Sequence, residues 1–356
     1  MAALPAILDA LPWPIVERER MRHRLDGLEL AECNLIASRD STDQFSRKFL
    51  FSVAGGARIE AVLMRYAGRT SACLSTQAGC PLDCVFCATG QAPFARNLTA
   101  GEIVAQAHHL DQELRRQDTG GPAKARSSNE RQPGRDREPV GTKAMRGRGI
   151  RLRNIVLMGM GEPLLNYDQV RQAMSVMRDR NGLAIGAKRI TLSTVGVIPG
   201  IVRLADEAEP CSLAVSLHAA NQRDREALIP SARQWPLQEL LDACRYYCRR
   251  LCRTILIEWT MIADRNDSID HARGLATALD GIQAHVNLIP LNTTAGYAGT
   301  AASIDRLRAF QLALRQSGIP STVRQPRGLD VDAGCGQLAA RSSKLVSSGH
   351  NANSRR

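Results

Sequence analysis

Aromatic side chains are scarce: 3 Trp, 5 Tyr and 6 Phe make up only 4% of 356 residues. That is thin for a protein that grips nucleobases mainly by stacking. Long apolar runs are missing too. No stretch reaches the ~18 residues of a membrane helix. The opening MAALPAILDALPWPIVERER has no basic segment leading into a long apolar one, as a secretory leader would. These absences lead us to expect a cytoplasmic protein with no membrane partner. Acidic residues are outnumbered, 35 Asp plus Glu against 47 Lys plus Arg, for a net charge of +12. That imbalance favours a polyanionic partner, since Lys and Arg neutralise phosphates and release counterions. In a reducing compartment the ten cysteines are not a disulfide framework, which points instead to metal ligands and redox thiols.

What is present is a large apolar complement, 44% of the chain, enough for a sizeable core in one large domain or two ordinary ones. Residues 1 to about 30 read as one or two short helices. FLFSV, an Ala-Gly-Gly-Ala turn and RIEAVLMRY then predict a β-hairpin within 47–66. After it, strand-like runs at 72–76, 155–159, 189–194, 211–217, 254–262 and 285–291 alternate with helical patterns near 99–116, 166–180, 199–207, 236–251, 268–280 and 302–317. Six strand–helix units in series predict an α/β fold with a parallel sheet, a partial (βα)6 barrel. The expected organisation is an N-terminal helical and β-hairpin extension over 1–66 and a core over 67–340. Two segments break the pattern. The stretch 115–153 holds twelve Lys or Arg against four Asp or Glu, which supplies eight of the twelve net charges. It is rich in Gly, Pro and Ser, so a basic, disordered insert is expected at 117–150, with a second disordered segment at 341–356.

The strongest local feature is Cys80-Pro-Leu-Asp-Cys84-Val-Phe-Cys87. Three thiolates at this spacing, in a loop after a strand, can hold three irons of a [4Fe–4S] cluster and leave the fourth open. Zinc is the competing reading, although zinc usually takes a fourth protein ligand and paired C-x₂-C units. Gly161 and Glu162 follow one predicted strand, Ser193 ends the next, and Ser216, Leu217 and His218 end the one after. Asn292 follows the last. All fall at strand C-termini, where sites of α/β barrels form; singly, each also fits an ordinary loop. Cys335 lies between glycines far along the chain, and alone reads equally as a small buried hydrophobe. Cys244, Cys248 and Cys252 recur every four residues and predict a buried helical stripe.

Taken together, CLSTQAGCPLDCVFCATG, RNLTAGEIVAQ, LMGMGEPLLN, ITLSTVG, LAVSLHA, NLIPLN and DAGCGQLA resemble, in this order, the radical SAM superfamily and within it the RlmN/Cfr type of RNA adenine methyltransferase. The resemblance implies that Cys80, Cys84 and Cys87 bind one [4Fe–4S] cluster. It implies that Gly161, Glu162, Ser193, Ser216, Leu217, His218 and Asn292 bind S-adenosylmethionine (SAM), two molecules being used per turnover. Cys335 would accept a methyl group from one SAM, and a radical from the second would abstract hydrogen from that methyl, which then joins an adenine ring carbon. Cys73 would resolve the protein–RNA adduct through a transient disulfide with Cys335, and Glu60 would be the proton acceptor. The implied targets are carbon 2 of an adenosine in 23S rRNA near the peptidyl-transferase centre and of a tRNA adenosine next to the anticodon. The implied partner is an electron donor such as flavodoxin or ferredoxin. Methylation of carbon 8 by the same cysteines is the nearest alternative. A metal-stabilised RNA-binding protein without catalysis is an alternative of another class; it would need neither Cys73 nor Cys335. The chain departs from the resemblance in the short region before the hairpin and in the basic insert, which connectivity assigns to the end of the barrel opposite the strand C-termini.

Overall fold

The computed structural model describes residues 14–19, 31–119 and 151–340. Most of the expected N-terminal helices, nearly all of the basic insert and the segment from 341 onward lie outside the described residues. The hairpin forms as its alternation predicts. Strands β1 (Cys33–Asp40), β2 (Ser46–Val53), β3 (Arg58–Tyr66) and β4 (Arg69–Cys73) run antiparallel in sequence order. The turn between β2 and β3 places Gly55 and Gly56 at φ +74° and +76°, a region that glycine enters without steric cost.

A short ribbon, β5 (Gln77–Ala78) with β6 (Arg96–Asn97), brackets the triad. From β4 onward the sheet is parallel: β7 (Asn154–Leu157), β8 (Ile190–Thr194), β9 (Ser212–Ser216), β10 (Ile255–Met261), β11 (Ala284–Pro290) and β12 (Ser321–Val323). All ten long strands form one sheet, in the order β1-β2-β3-β4-β7-β8-β9-β10-β11-β12. The structure is therefore an α/β fold with a parallel sheet curled as a partial barrel. The hairpin extension is hydrogen-bonded into that same sheet through β3 and β4. β12 adds a parallel strand to the six expected; its three residues are too few for a period to show.

The helices are α1 (Ala100–Thr119), α2 (Tyr167–Arg178), α3 (Ile198–Asp206), α4 (Gln222–Leu228), α5 (Leu237–Leu251), α6 (Ile269–Ala278) and α7 (Ile304–Gln316). Their apolar stripes cover the outer face of the sheet. In α5 Leu237, Leu240, Leu241, Cys244, Tyr247 and Cys248 are all buried, each apolar side chain contributing roughly 1.5–3 kcal/mol when fully covered. Two of the three evenly spaced cysteines thus join the core. Cys252 does not: it adopts φ +50° as the left-handed cap of α5 and is exposed. The period outruns the helix because α5 stops one residue short of it.

Strand alternation sorts the opposite face. In β8 Ile190 and Leu192 pack outward into the main core, leaving Thr191 and Ser193 half-buried on the lumen side. The lumen is therefore lined by small and polar side chains. A second, smaller core of Phe86, Leu228, Ile229, Ala232, Ile262 and Leu291 sits beneath the triad loop.

Candidate active site

Cys80, Cys84 and Cys87 line one cavity at the C-terminal ends of the parallel strands, about 960 Å³ including its open mouth. Their loop is folded by close backbone packing. A Cβ on Gly79 would lie 2.3 Å from the Pro93 carbonyl oxygen, and one on Gly90 would lie 2.9 Å from the Cys84 nitrogen. Val85 donates its N–H to the Leu228 carbonyl (3.1 Å), and Cys87 donates to that of Cys84 (3.1 Å). Burial pushes the Cys84 thiol up, with Cys87 and Cys80 adding to the shift and Arg225 opposing it.

Gly161, Glu162, Ser193, Ser216, His218 and Asn292 line the same cavity. Gly161 is at φ +102°, and a Cβ there would lie 2.4 Å from the Gln77 Cβ, so only glycine fits. Glu162 is buried, and its carboxylate accepts from Leu164 N–H (3.0 Å) and Val195 N–H (2.9 Å). Burial raises it to about 7 against those two hydrogen bonds. His218 accepts the Thr260 N–H on Nδ1 (2.9 Å), which assigns its proton to Nε2. Burial, aided by Arg225, lowers its pKa to about 3, so the ring is neutral and packs edge-on to Phe86. Leu217 differs from the others: its side chain lies in the main core, and its N–H donates to the Glu258 carbonyl (3.1 Å).

Cys335 reaches this cavity from the far end of the chain. Its loop is tied to the triad loop directly: Ala88 donates to the Gly336 carbonyl (2.7 Å), and the Thr89 hydroxyl donates to that of Leu338 (2.6 Å). Asn292 Nδ2 donates to the Cys335 carbonyl (2.9 Å). Cys335 is exposed to solvent although protein surrounds it at longer range, as befits a residue in an open mouth. Those surroundings hold its thiol above the ordinary range, with Glu258 adding and Arg324 opposing. Cys73, at the end of β4, is near enough for Cys335 to raise it further after burial. All ten cysteines are free thiols. Glu60 is placed elsewhere. Fully buried in β3, it pairs with Lys48 Nζ (3.1 Å) and accepts the Ala339 N–H (3.0 Å), and it does not line the cavity.

The chain matches the family model described as "Radical SAM superfamily" over residues 124–273. It is 54% identical over 327 residues to a probable dual-specificity RNA methyltransferase RlmN 2 of Opitutus terrae, covering 90% of this chain and 76% of that protein. It is 50% identical over 300 residues to the dual-specificity RNA methyltransferase RlmN 1 of Myxococcus xanthus, covering 84% and 75%. The chain belongs to the RlmN family of radical SAM methyltransferases. Among solved structures, a radical SAM methyltransferase from Sphaerobacter thermophilus superposes with a TM-score of 0.80 at 38% identity, covering 96% of this chain and 89% of that one.

Members of the radical SAM superfamily use a [4Fe–4S] cluster and SAM, and the donor set here fits both. Among the described residues no three of His, Cys, Asp and Glu converge tightly enough to enclose a single ion. Three thiols spread around a shared cavity suit a larger, multi-iron group. Arg225 is the stronger sign. It is fully buried, with no carboxylate partner among the described residues, and its Nε has no hydrogen-bond partner. Its two terminal nitrogens donate to the carbonyls of Trp235 (3.1 Å) and Val195. Burial lowers its pKa only to about 10, with Cys84 opposing. A buried cation is expensive unless an anion lies near, and thiolates with their cluster supply one. For an RlmN-type chain, Arg225 and Glu258 are the residues that sequence reasoning missed. Arg225 lies in QRDREAL, which resembles any solvated helix. Glu258 left a signal, a lone carboxylate inside the apolar run TILIEWTMI.

Proposed function

We propose that this chain methylates carbon 2 of an adenosine in RNA, in 23S rRNA near the peptidyl-transferase centre and in tRNA next to the anticodon. The observation that carries this reading is the joining of two distant loops: the segment bearing Cys335 is hydrogen-bonded to the segment bearing the triad, and both open on one cavity. The family supports the chemistry, and the relatives, dual-specificity RNA methyltransferases by name, support RNA as substrate.

When bound, the cluster and SAM supply a methyl group for one step and a hydrogen-abstracting radical for the next. The residues of the chain divide the remaining work. Cys80, Cys84 and Cys87 hold the cluster. Gly161 offers backbone where a side chain would collide, and Glu162, Ser193, Ser216, neutral His218 and Asn292 present polar groups to SAM. Leu217 contributes through its backbone. Cys335 takes the methyl group on sulfur and carries it to the adenine carbon, so that sulfur and base become joined through one carbon. Cys73 attacks the Cys335 sulfur, the sulfur–carbon bond breaks with its electron pair left on carbon, and a proton leaves the ring as the new methyl group takes one up. Glu60 is the proposed acceptor of that ring proton; its carboxylate is held by Lys48 Nζ and by the Ala339 N–H of the loop that presents Cys335. Reducing electrons come from a flavodoxin- or ferredoxin-like donor.

The two cysteines predict opposite failures. Cys335→Ala lacks a carrier and forms no protein–RNA bond. Cys73→Ala forms the bond but cannot release it, and so accumulates RNA attached through Cys335. Denaturing gels of each variant purified from cells, with and without ribonuclease, read this directly. A Cys73→Ala protein that turns over normally and carries no RNA would overturn the two-cysteine mechanism.

A further inference from the structure

The lumen has a second opening. A cavity of about 1260 Å³, again counting its mouth, lies where the barrel fails to close, between the segment after β12 and the β3–β4 side. Arg69, Lys188, Arg189 and Arg324 line it, and none has an ion-pair partner among the described residues. Arg69 begins β4, and Lys188 and Arg189 immediately precede β8, so these three form a rim at the end opposite the triad; Arg324 follows β12 at the other end, near Glu258. The two cavities meet at Glu258 and Cys335, which line both. Glu258 is buried, and its Oε1 accepts from Asn287 Nδ2 (2.8 Å). Its other oxygen has no hydrogen-bond partner among the described residues.

We propose that this second cavity receives the substrate nucleotide: the phosphodiester strand lies across the cationic rim, and the extruded base enters the lumen with its exocyclic amino group donating to Glu258. The inference rests on the reading of the chain as an RNA adenosine methyltransferase. Three cations without an ion-pair partner on one rim suit consecutive phosphates, and a single-stranded or extruded nucleotide is what enzymes acting on a base require. Cys335 then stands between the two cavities, with the triad on one side and the base on the other. A carboxylate with a free acceptor favours an amino group and rejects a carbonyl in the same place, which selects adenine over its deaminated form.

The test uses the full-length, cluster-loaded protein and a fluorescent RNA hairpin with one adenosine in its loop. The rim variant Arg69→Gln/Lys188→Gln/Arg189→Gln should bind at least tenfold more weakly at low salt. Its slope of log affinity against log salt should fall by about 2, at ~0.7 per single-strand phosphate contact. A charge-matched control, Arg249→Gln/Arg250→Gln/Arg315→Gln on the outer faces of α5 and α7, should keep the wild-type slope; cluster absorbance and circular dichroism check that both fold. In single turnovers, wild type should methylate adenosine about tenfold to a hundredfold faster than purine riboside, which lacks the amino group. Glu258→Met should lose that preference, with Glu258→Gln as a second variant if Met disturbs folding. A rim variant with wild-type affinity and slope, or a Glu258 variant that still discriminates, overturns the proposal. If wild type methylates no RNA while still cleaving SAM, the underlying functional reading fails instead.

Discussion

Burying a guanidinium with no carboxylate opposite it costs several kcal/mol, and Arg225 stays buried beside Cys84. Its role follows from that cost: it offsets negative charge that the thiolates and cluster bring. Arg225→Met should lower the cluster's reduction potential by on the order of tens of mV, followed by redox titration of the reduced-cluster signal, with Arg225→Lys closer to wild type. An unchanged potential at full cluster content would remove Arg225 from this role. His218 allows a second test, because burial and the same arginine keep it neutral. Its folded pKa, about 3, lies below its unfolded value, so the neutral ring's contribution is intact above about pH 6.5 and is lost as pH falls toward 3. Relative to His218→Gln, the wild-type protein should lose up to ~1.4 kcal/mol of stability per pH unit across that window, measured by urea unfolding of cluster-free protein. Parallel pH curves for the two proteins would contradict the neutral assignment. Arg225 could not be read ahead of the structure, because an arginine in a charged helix looks ordinary until packing shows what surrounds it. His218 was legible as a strand-end site residue; its burial and neutral state were not.

At the scale of elements, the loop carrying Cys335 is held at both ends by one buried ion pair. Lys48 Nζ donates to the Asp332 carbonyl (3.3 Å), and its partner Glu60 accepts from Ala339 N–H. Breaking such a pair leaves an uncompensated buried charge and costs ~3–5 kcal/mol, whereas replacing both members with apolar residues can be nearly neutral. Lys48→Met should therefore destabilise the protein far more than Lys48→Met/Glu60→Leu. Both should speed alkylation of Cys335 by iodoacetamide, because both free the loop. An alkylation rate unaffected in the double variant would show that the pair does not hold the loop. Elements with a strong period were legible: the β2–β3 hairpin, the alternating core strands and helices such as α5 lie where their patterns put them. β1 was missed because CNLIASRD lies at a sheet edge and alternates poorly. α4 was missed because seven residues span barely two turns.

For the whole molecule, the sheet unites what the sequence divides. Residues before 67 read as an extension, yet β1, β2 and β3 continue the barrel sheet, and β2 and β3 wall its open side. The triad was legible because its three ligands are local in sequence. The partnership of Cys73 with Cys335 was legible only through the resemblance, and Glu258 was missed, because only the closing of the sheet brings β10 and the chain's far end to one cavity. Time adds a further consequence. The hydrogen bond from Thr89 to Leu338 spans 249 residues, so the triad loop acquires its last partners long after its cysteines are made. At synthesis rates of ~5–20 residues per second, that interval is roughly 12–50 s. Throughout it the three thiols are without the segment that later packs beside them, open to oxidation and to any metal ion that reaches them first. Closure of the Cys335 segment over the triad loop is thus a late event, set by the order in which the two loops are made.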